Sequence, residues 1–157
     1  MDTLSGHLSG TFLVVPTPFH HDKTIDFASF ENVIRYIIDC DVDGLVFPGL
    51  ASEYAQLTKE ERLKTTAIVG RMSKGTIPFV VGASAQTPEE AIEYSVAGAS
   101  AGAVCAMVMA PLKFADDEAA MVDFYKKLAK HAQIPIMLQN APKPMGAGLP
   151  IETALRI

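Results

Sequence analysis

The chain predicts an α/β fold built on a parallel sheet. Short apolar runs alternate with helical patterns along its whole length. The apolar runs are nearly continuous rather than alternating in polarity, as in strands covered on both faces. Each run is followed by helix-start chemistry, so successive strands are joined by helical crossovers.

The elements follow in order. Thr11-Phe12-Leu13-Val14-Val15 reads as the first strand, bounded by Gly10 and Pro16. Asp26 opens a helix whose Phe27, Phe30, Val33, Ile34, Ile37 and Ile38 share one face. Gly44-Leu45-Val46-Phe47 is the second strand. Thr58 and Glu61 have capping-box spacing, and the helix they open runs to about Lys74, with Gly75 as a stop. The third strand spans residues 77–82. Thr87-Pro88-Glu89-Glu90 starts the next helix, and Gly98 is expected near its end. Residues 103–109 form the fourth strand. Asp116 or Asp117 caps a helix through Met121, Phe124, Leu128 and His131, and residues 134–138 form the fifth strand. A Pro- and Gly-rich loop from Pro142 to Gly148 leads to a last helix start at Pro150-Ile151-Glu152-Thr153.

A flavodoxin-like doubly wound sheet and a barrel both fit this alternation. The last helix has run only about two turns at Ile157, with Leu155 and Ile157 still apolar, and a barrel of eight units needs roughly 250 residues. The expectation is therefore the N-terminal portion, about five β/α units, of a TIM (β/α)8 barrel. Residues 1–157 would be a single truncated domain.

Composition narrows the function classes. Apolar residues make up 49% and charged residues 20% of the 157, which excludes a disordered or disulfide-scaffold chain. Thirteen basic against 18 acidic side chains leave a net charge of −5 with no basic stripe, which argues against nucleic-acid binding. The mean hydropathy of +0.22 calls for a large core or for apolar cover from elsewhere. Met1-Asp2-Thr3-Leu4-Ser5-Gly6 has neither a positive nor an apolar leader region, and Cys40 and Cys105 read as free thiols, so the expected location is cytoplasmic. The uncharged stretch from Tyr94 to Leu112 is interrupted by Gly98 and Gly102 and closed by Pro111. It reads as a helix end and a buried strand, and no membrane association is expected.

In either architecture ligands bind at the carboxyl ends of the strands. The residues there are Thr17-Pro18-Phe19, Gly49-Leu50-Ala51-Ser52-Glu53, Ala83-Ser84, Pro111-Leu112-Lys113 and Gln139-Asn140. No Gly-rich phosphate loop follows the first strand, so a nucleotide site is not supported. His20-His21-Asp22 lacks a third converging ligand and reads as a hydrated loop; no metal is expected.

The chain resembles the dihydrodipicolinate synthase and N-acetylneuraminate lyase family of class I aldolases. The resemblance lies in Val15-Pro16-Thr17-Pro18-Phe19 with Ile25-Asp26, in Val42-Asp43-Gly44-Leu45-Val46, and in Gly49-x-x-x-Glu53. It continues through Leu57-Thr58-x-Glu60-Glu61-Arg62, Pro78-Phe79-Val80-Val81-Gly82, Ala110-Pro111, Pro135-Ile136 and Asn140-x-Pro142. It implies a lyase acting on a pyruvate-type 2-oxo acid through a Schiff base with a sixth-strand lysine, the imine being the electron sink. It further implies a proton-shuttling tyrosine on the fifth strand. A Gly-[Ser/Thr]-Thr-Gly-Glu loop after the second strand would hold the carboxylate. No separate cofactor is implied.

This sequence departs from that pattern. The sixth strand lies beyond Ile157. Gln139 occupies the tyrosine position, and an amide does not exchange protons near neutral pH. The loop places Leu50 and Ala51 where hydroxyls are expected, with Ser52 supplying a hydroxyl one place later and Gly49 retained. Leu112 and Lys113 stand where the synthase branch has aromatics, and Lys143 is the nearest cation to the arginine expected after Asn-x-Pro. Lys113 is the one lysine well placed at a strand end; the others read as solvated. The chain as given is thus expected to be inactive in aldolase chemistry. Three readings remain: part of a 2-oxo-acid lyase, an inactive truncated relative acting in assembly or binding, and a complete flavodoxin-like anion binder. A homo-oligomer is expected because an open half-barrel exposes two strand edges.

Overall fold

A computed structural model describes residues 8–157; the leader reading of Met1–Gly6 lies outside the described residues. Five strands, β1 (Phe12–Val14), β2 (Gly44–Phe47), β3 (Phe79–Gly82), β4 (Cys105–Met109) and β5 (Ile136–Gln139), pair in parallel in the order β1-β2-β3-β4-β5. They alternate with α1 (Phe27–Asp39), α2 (Lys59–Ser73), α3 (Pro88–Ala101), α4 (Glu118–His131) and α5 (Ile151–Ala154).

Local chemistry sets the helix starts. The Asp26 carboxylate accepts from the Ser29 amide at 2.9 Å. Thr58 and Glu61 close a reciprocal box, the Glu61 amide donating to Thr58 Oγ1 at 3.2 Å and the Thr58 amide to Glu61 Oε2 at 2.8 Å. Thr87 caps α3 with Pro88 in its first turn. Asp117, not Asp116, caps α4 by accepting from the Ala120 amide at 2.9 Å. Gly98 lies close to the end of α3, as expected. The helix continues past Gly98 to Ala101, and Gly102, at φ +94°, terminates it. Gly98 is instead a packing glycine, since a Cβ there would lie 2.3 Å from Val81 Cγ1. Four strands, β1, β3, β4 and β5, start one or two residues later than their apolar runs, and for two of them proline is the reason. Pro78 and Pro135 accept from the amides of Leu45 and Ala106 but have no N–H to donate, so β3 and β5 open after them.

The sheet has two unlike faces. Val15, Leu45, Phe47, Phe79, Val81, Ala106 and Val108 pack against the helices, meeting Phe30, Ile34, Ile37, Val69, Phe124, Tyr125 and Leu128. The opposite face carries Val46, Val80 and Cys105, backed by Phe12, Val14, Met107 and Met137, with no helical residue among them. Consecutive helices touch one another in chain order. A doubly wound sheet carries helices on both faces and jumps in strand order. Sequential order with every helix on one face excludes the flavodoxin-like alternative and matches successive units of a barrel. Tyr94–Leu112 is the end of α3 followed by β4, and no described helix is long and apolar enough to cross a membrane.

The helix-free face is dry enough to perturb a thiol. Burial pushes Cys105 up from its ordinary 9.0 to about 11. In the unfolded chain this thiol ionises first, so unfolding is favoured as pH rises from about 9 and the loss saturates near 11. The stability of the wild type relative to Cys105→Ala is expected to be flat below pH 8. It should then fall by roughly 1.4 kcal/mol per pH unit between about 9 and 11. Urea titrations across that range measure it; a flat difference would remove burial as the cause.

Candidate functional site

The C-terminal ends of the strands gather the polar groups, and buried side chains knit them together. Past β1, Thr17 is buried, and its Oγ1 donates to the Ser52 carbonyl at 2.8 Å. Past β2, residues Leu50–Ser52 form a 3₁₀ turn. The Ser52 amide donates to the Gly49 carbonyl and the Glu53 amide to that of Leu50, each at 3.0 Å. The amides of Leu50 and Ala51, first in the turn, have no acceptor inside it. The Ser52 hydroxyl donates to the Val15 carbonyl at 2.5 Å and accepts from the Gly49 amide at 2.9 Å. It is fully buried, so the hydroxyl noted in the sequence faces backbone rather than solvent. The Leu50 side chain, by contrast, is 46% exposed, and Ala51 is also exposed.

Gln139 closes β5. It pairs in register with Met109 and lies two residues after Met137, which places it on the helix-free face, half-buried. The Asn140 side chain bonds the Leu149 backbone twice, accepting from its amide at 2.9 Å and donating to its carbonyl at 3.2 Å, and so closes the loop over residues 141–149. Lys113 sits in a second 3₁₀ turn, Leu112–Phe114. It is exposed, with its ammonium 5.1 Å from the Phe114 ring centroid. A lysine that forms imines at neutral pH needs desolvation, and this position does not provide it. Lys143 lies 3.6 Å from Asp116 at the surface. His20 lies 3.9 Å from Asp26, and among the described residues no cluster of His, Cys, Asp and Glu is arranged to hold a metal.

One group went unassigned in the sequence reading. Arg62, in the first turns of α2, is only 5% exposed. Its guanidinium donates to the Gly82 carbonyl at 2.7 Å and the Ser84 carbonyl at 3.0 Å. It lies 3.8 Å from the Tyr94 ring centroid and 5.3 Å from that of Tyr54. Desolvation draws its pKa below the ordinary arginine value, with the neighbouring tyrosines opposing. Ser84 Oγ accepts from the Met109 amide at 2.9 Å, so Arg62 and Ser84 tie the ends of β3 and β4. These residues, with Gln86, Glu90, Leu112 and Met145, line a cleft of about 420 Å³. A signal was present: the inward face of α2 carries Arg62, Thr65, Thr66, Val69, Gly70 and Ser73, too polar for an ordinary helix core.

A parallel β/α sheet with helices on one face and a polar rim at its C-terminal strand ends defines the class: the N-terminal half of a TIM-type barrel. The family model for the dihydrodipicolinate synthetase family matches residues 7–157, and the chain belongs to that family. It is 30% identical over 141 residues to the 4-hydroxy-tetrahydrodipicolinate synthase of Oceanobacillus iheyensis, covering 90% of this chain and 48% of that protein. A prophage protein of the same family from E. coli K12, solved in complex with pyruvate, is 29% identical. It superposes with a TM-score of 0.79 over 86% of this chain and 46% of its own. The Aquifex aeolicus dihydrodipicolinate synthase, 22% identical, shares the fold with a TM-score of 0.86 over 95% of this chain and 50% of its own. The chain thus spans about half the length of the curated relatives it matches.

The Arg62 fork is expected to stabilise the rim. Arg62→Lys retains the charge but cannot donate to both carbonyls in one plane, and should cost on the order of 2 kcal/mol. Urea unfolding measures it; a loss under about 0.5 kcal/mol would show that the fork is not what holds β3 to α2.

Proposed function

We propose that residues 1–157 form the 2-oxo-acid-binding half of a class I aldolase-type lyase site and perform no Schiff-base chemistry by themselves. The single observation that carries this is the pair of amides, Leu50 and Ala51, at the head of the turn after β2, which have no acceptor among the described residues. Two adjacent N–H groups at a turn head form a site for one carboxylate. A pyruvate complex of a family member supports the choice of acid.

Within this reading each residue has a limited task. The Leu50 and Ala51 amides hold the carboxylate. Gln139, on the same side of the sheet as Met109, orients the keto oxygen or a water by hydrogen bonding. It cannot carry a proton, and Ser52, pinned between Gly49 and Val15, cannot either. The imine-forming lysine that the resemblance places on a sixth strand lies outside these residues and would supply the electron sink in the whole protein. Lys113, exposed, is left as a surface cation near the mouth.

A second reading has its own support. Leu13, on edge strand β1, is 38% exposed. An apolar unpaired edge favours association, so the chain would act as an assembly or binding partner in a homo-oligomer or with a complementary half.

Borohydride trapping separates the readings. With pyruvate and borohydride, the chain by itself is expected to gain no reduced adduct in its intact mass, while the protein extended through a sixth-strand lysine gains one. An adduct on Lys113 would overturn the assignment. In the extended protein, Gln139→Tyr is expected to raise aldol cleavage by about 10²-fold through restored proton transfer.

A further inference from the structure

The β/α layer has two lateral sides, and both are apolar. The inner strands β2 and β3 are buried at every residue, whereas β1 and β5 contain no buried residue. Register makes the comparison like for like. Leu13 pairs with Leu45, and Leu45 with Phe79; Leu45 is 0% and Phe79 1% exposed, but Leu13 is 38% exposed. The cause lies in how the helices are seated. α2 lies against β2 and β3, and α3 against β3 and β4, so each covers its own strand and the next. Among the described residues no helix precedes β1 to cover Leu13, and no strand follows α5 for it to cover. Ile151 and Leu155, one turn apart on α5, are accordingly 75% and 83% exposed. Tyr36, also exposed, sits on the side of α1 away from Phe27, which meets Lys64 of α2.

We propose that these two sides form one head-to-tail interface between copies of this chain. The β5–α5 side of one copy docks on the β1–α1 side of a second, with the second copy's β1 as the strand after β5 and the first copy's α5 laid over Leu13. This names the partner and the surfaces for the assembly reading above, on which it rests; the 2-oxo-acid reading is independent of it. A second copy is the occupant because the two sides lack complementary things. One offers a helix with no strand beneath it, the other a strand with no helix above it, and both outer strand edges carry unpaired amides and carbonyls. All five strands run parallel, so a β1 added beside β5 by rotation about an axis along the strands keeps their direction and keeps every helix on one face. The apolar surfaces match as well. Ile151 and Leu155 take Leu13 and Tyr36 out of water, and Val14 and Met137 come to lie on the same face of the new strand pair, extending the strip of Val46, Val80 and Cys105. The relatives run to about twice this length, so a second copy brings as much chain as a whole relative has. The two surfaces differ, so the contact is heterologous.

Sedimentation equilibrium at graded concentrations, with a charge placed on one side at a time, tests this. The wild type should show at least twice the 16.8 kDa mass of one chain, falling toward one chain on dilution. Leu13→Lys spoils one side and Leu155→Lys the other. Each variant by itself should be monomeric, with its self-association weakened about 100-fold or more. Mixed in equal amounts, the two should form a 1:1 pair that grows no further, because one intact junction remains between them. Tyr36→Lys, at a more exposed position, should behave as Leu13→Lys does, and far-UV circular dichroism checks that each variant keeps the fold. A monomeric wild type would overturn the inference and the assembly reading together. Association that persists in both variants, that Leu112→Lys at the rim abolishes, or that fails to return on mixing would overturn the inference and leave the assembly reading with another surface. None of these outcomes bears on borohydride trapping, which decides the 2-oxo-acid reading separately.

Discussion

At the carboxyl end of a parallel sheet the last carbonyls and amides of each strand lose their ladder partners, and where the end is buried they must find others. In this chain buried side chains provide them. Ser52 takes the Val15 carbonyl and the Gly49 amide, Arg62 takes the carbonyls of Gly82 and Ser84, and Ser84 takes the Met109 amide. Asn140 does the same for the loop after β5. The rim is therefore a network in three parts: β1 with β2, β3 with β4 and α2, and β5 with the loop that follows it. The glycines belong to the same constraint: a Cβ on Gly82 would sit 1.7 Å from the Pro48 carbonyl oxygen, so β2 and β3 approach at their ends only because no side chain intervenes.

That network has a chemical consequence. The buried polar side chains of the rim are engaged chiefly with backbone, although Arg62 Nε, buried among the described residues, has no partner. What remains facing the open side of the rim is a pair of backbone amides, an uncharged amide at Gln139, and apolar side chains from Leu50 and Met109. Such a surface can hold an anion and orient a carbonyl but cannot relay a proton. The helix-free face beneath it, with Val46, Val80 and Cys105, is dry and apolar, the setting in which a charged group contributed from elsewhere would be strongly perturbed.

The elements were read with little loss because their signals are local. Thr58 with Glu61 and Thr87 with Pro88 mark helix starts by bonding to their own first turns, and the apolar run of β2 matches the strand residue for residue. The misses have non-local causes. Nothing local to Gly98 shows that its missing side chain makes room for Val81 on a neighbouring strand. The 3₁₀ turns Leu50–Ser52, Tyr54–Gln56 and Leu112–Phe114 carry no periodic pattern, being too short for one. Strand order, which distinguishes a barrel portion from a doubly wound sheet, was open until the pairing was known.

Sequence alone determined the alternation of strands and helices, the caps of α1, α2 and α3, the family resemblance and the set of loops that converge at the site. The elements and caps depend on periodicity and on contacts within a few residues, whereas the family resemblance rests on the motifs themselves. Only the tertiary structure decided what those loop residues do: that Ser52 faces backbone, that Lys113 is solvated, that Gln139 shares the helix-free face, and that Arg62 ties α2 to the ends of β3 and β4. A side chain's task there depends on partners 20 to 37 positions away, and no local pattern encodes which of them will be within bonding distance.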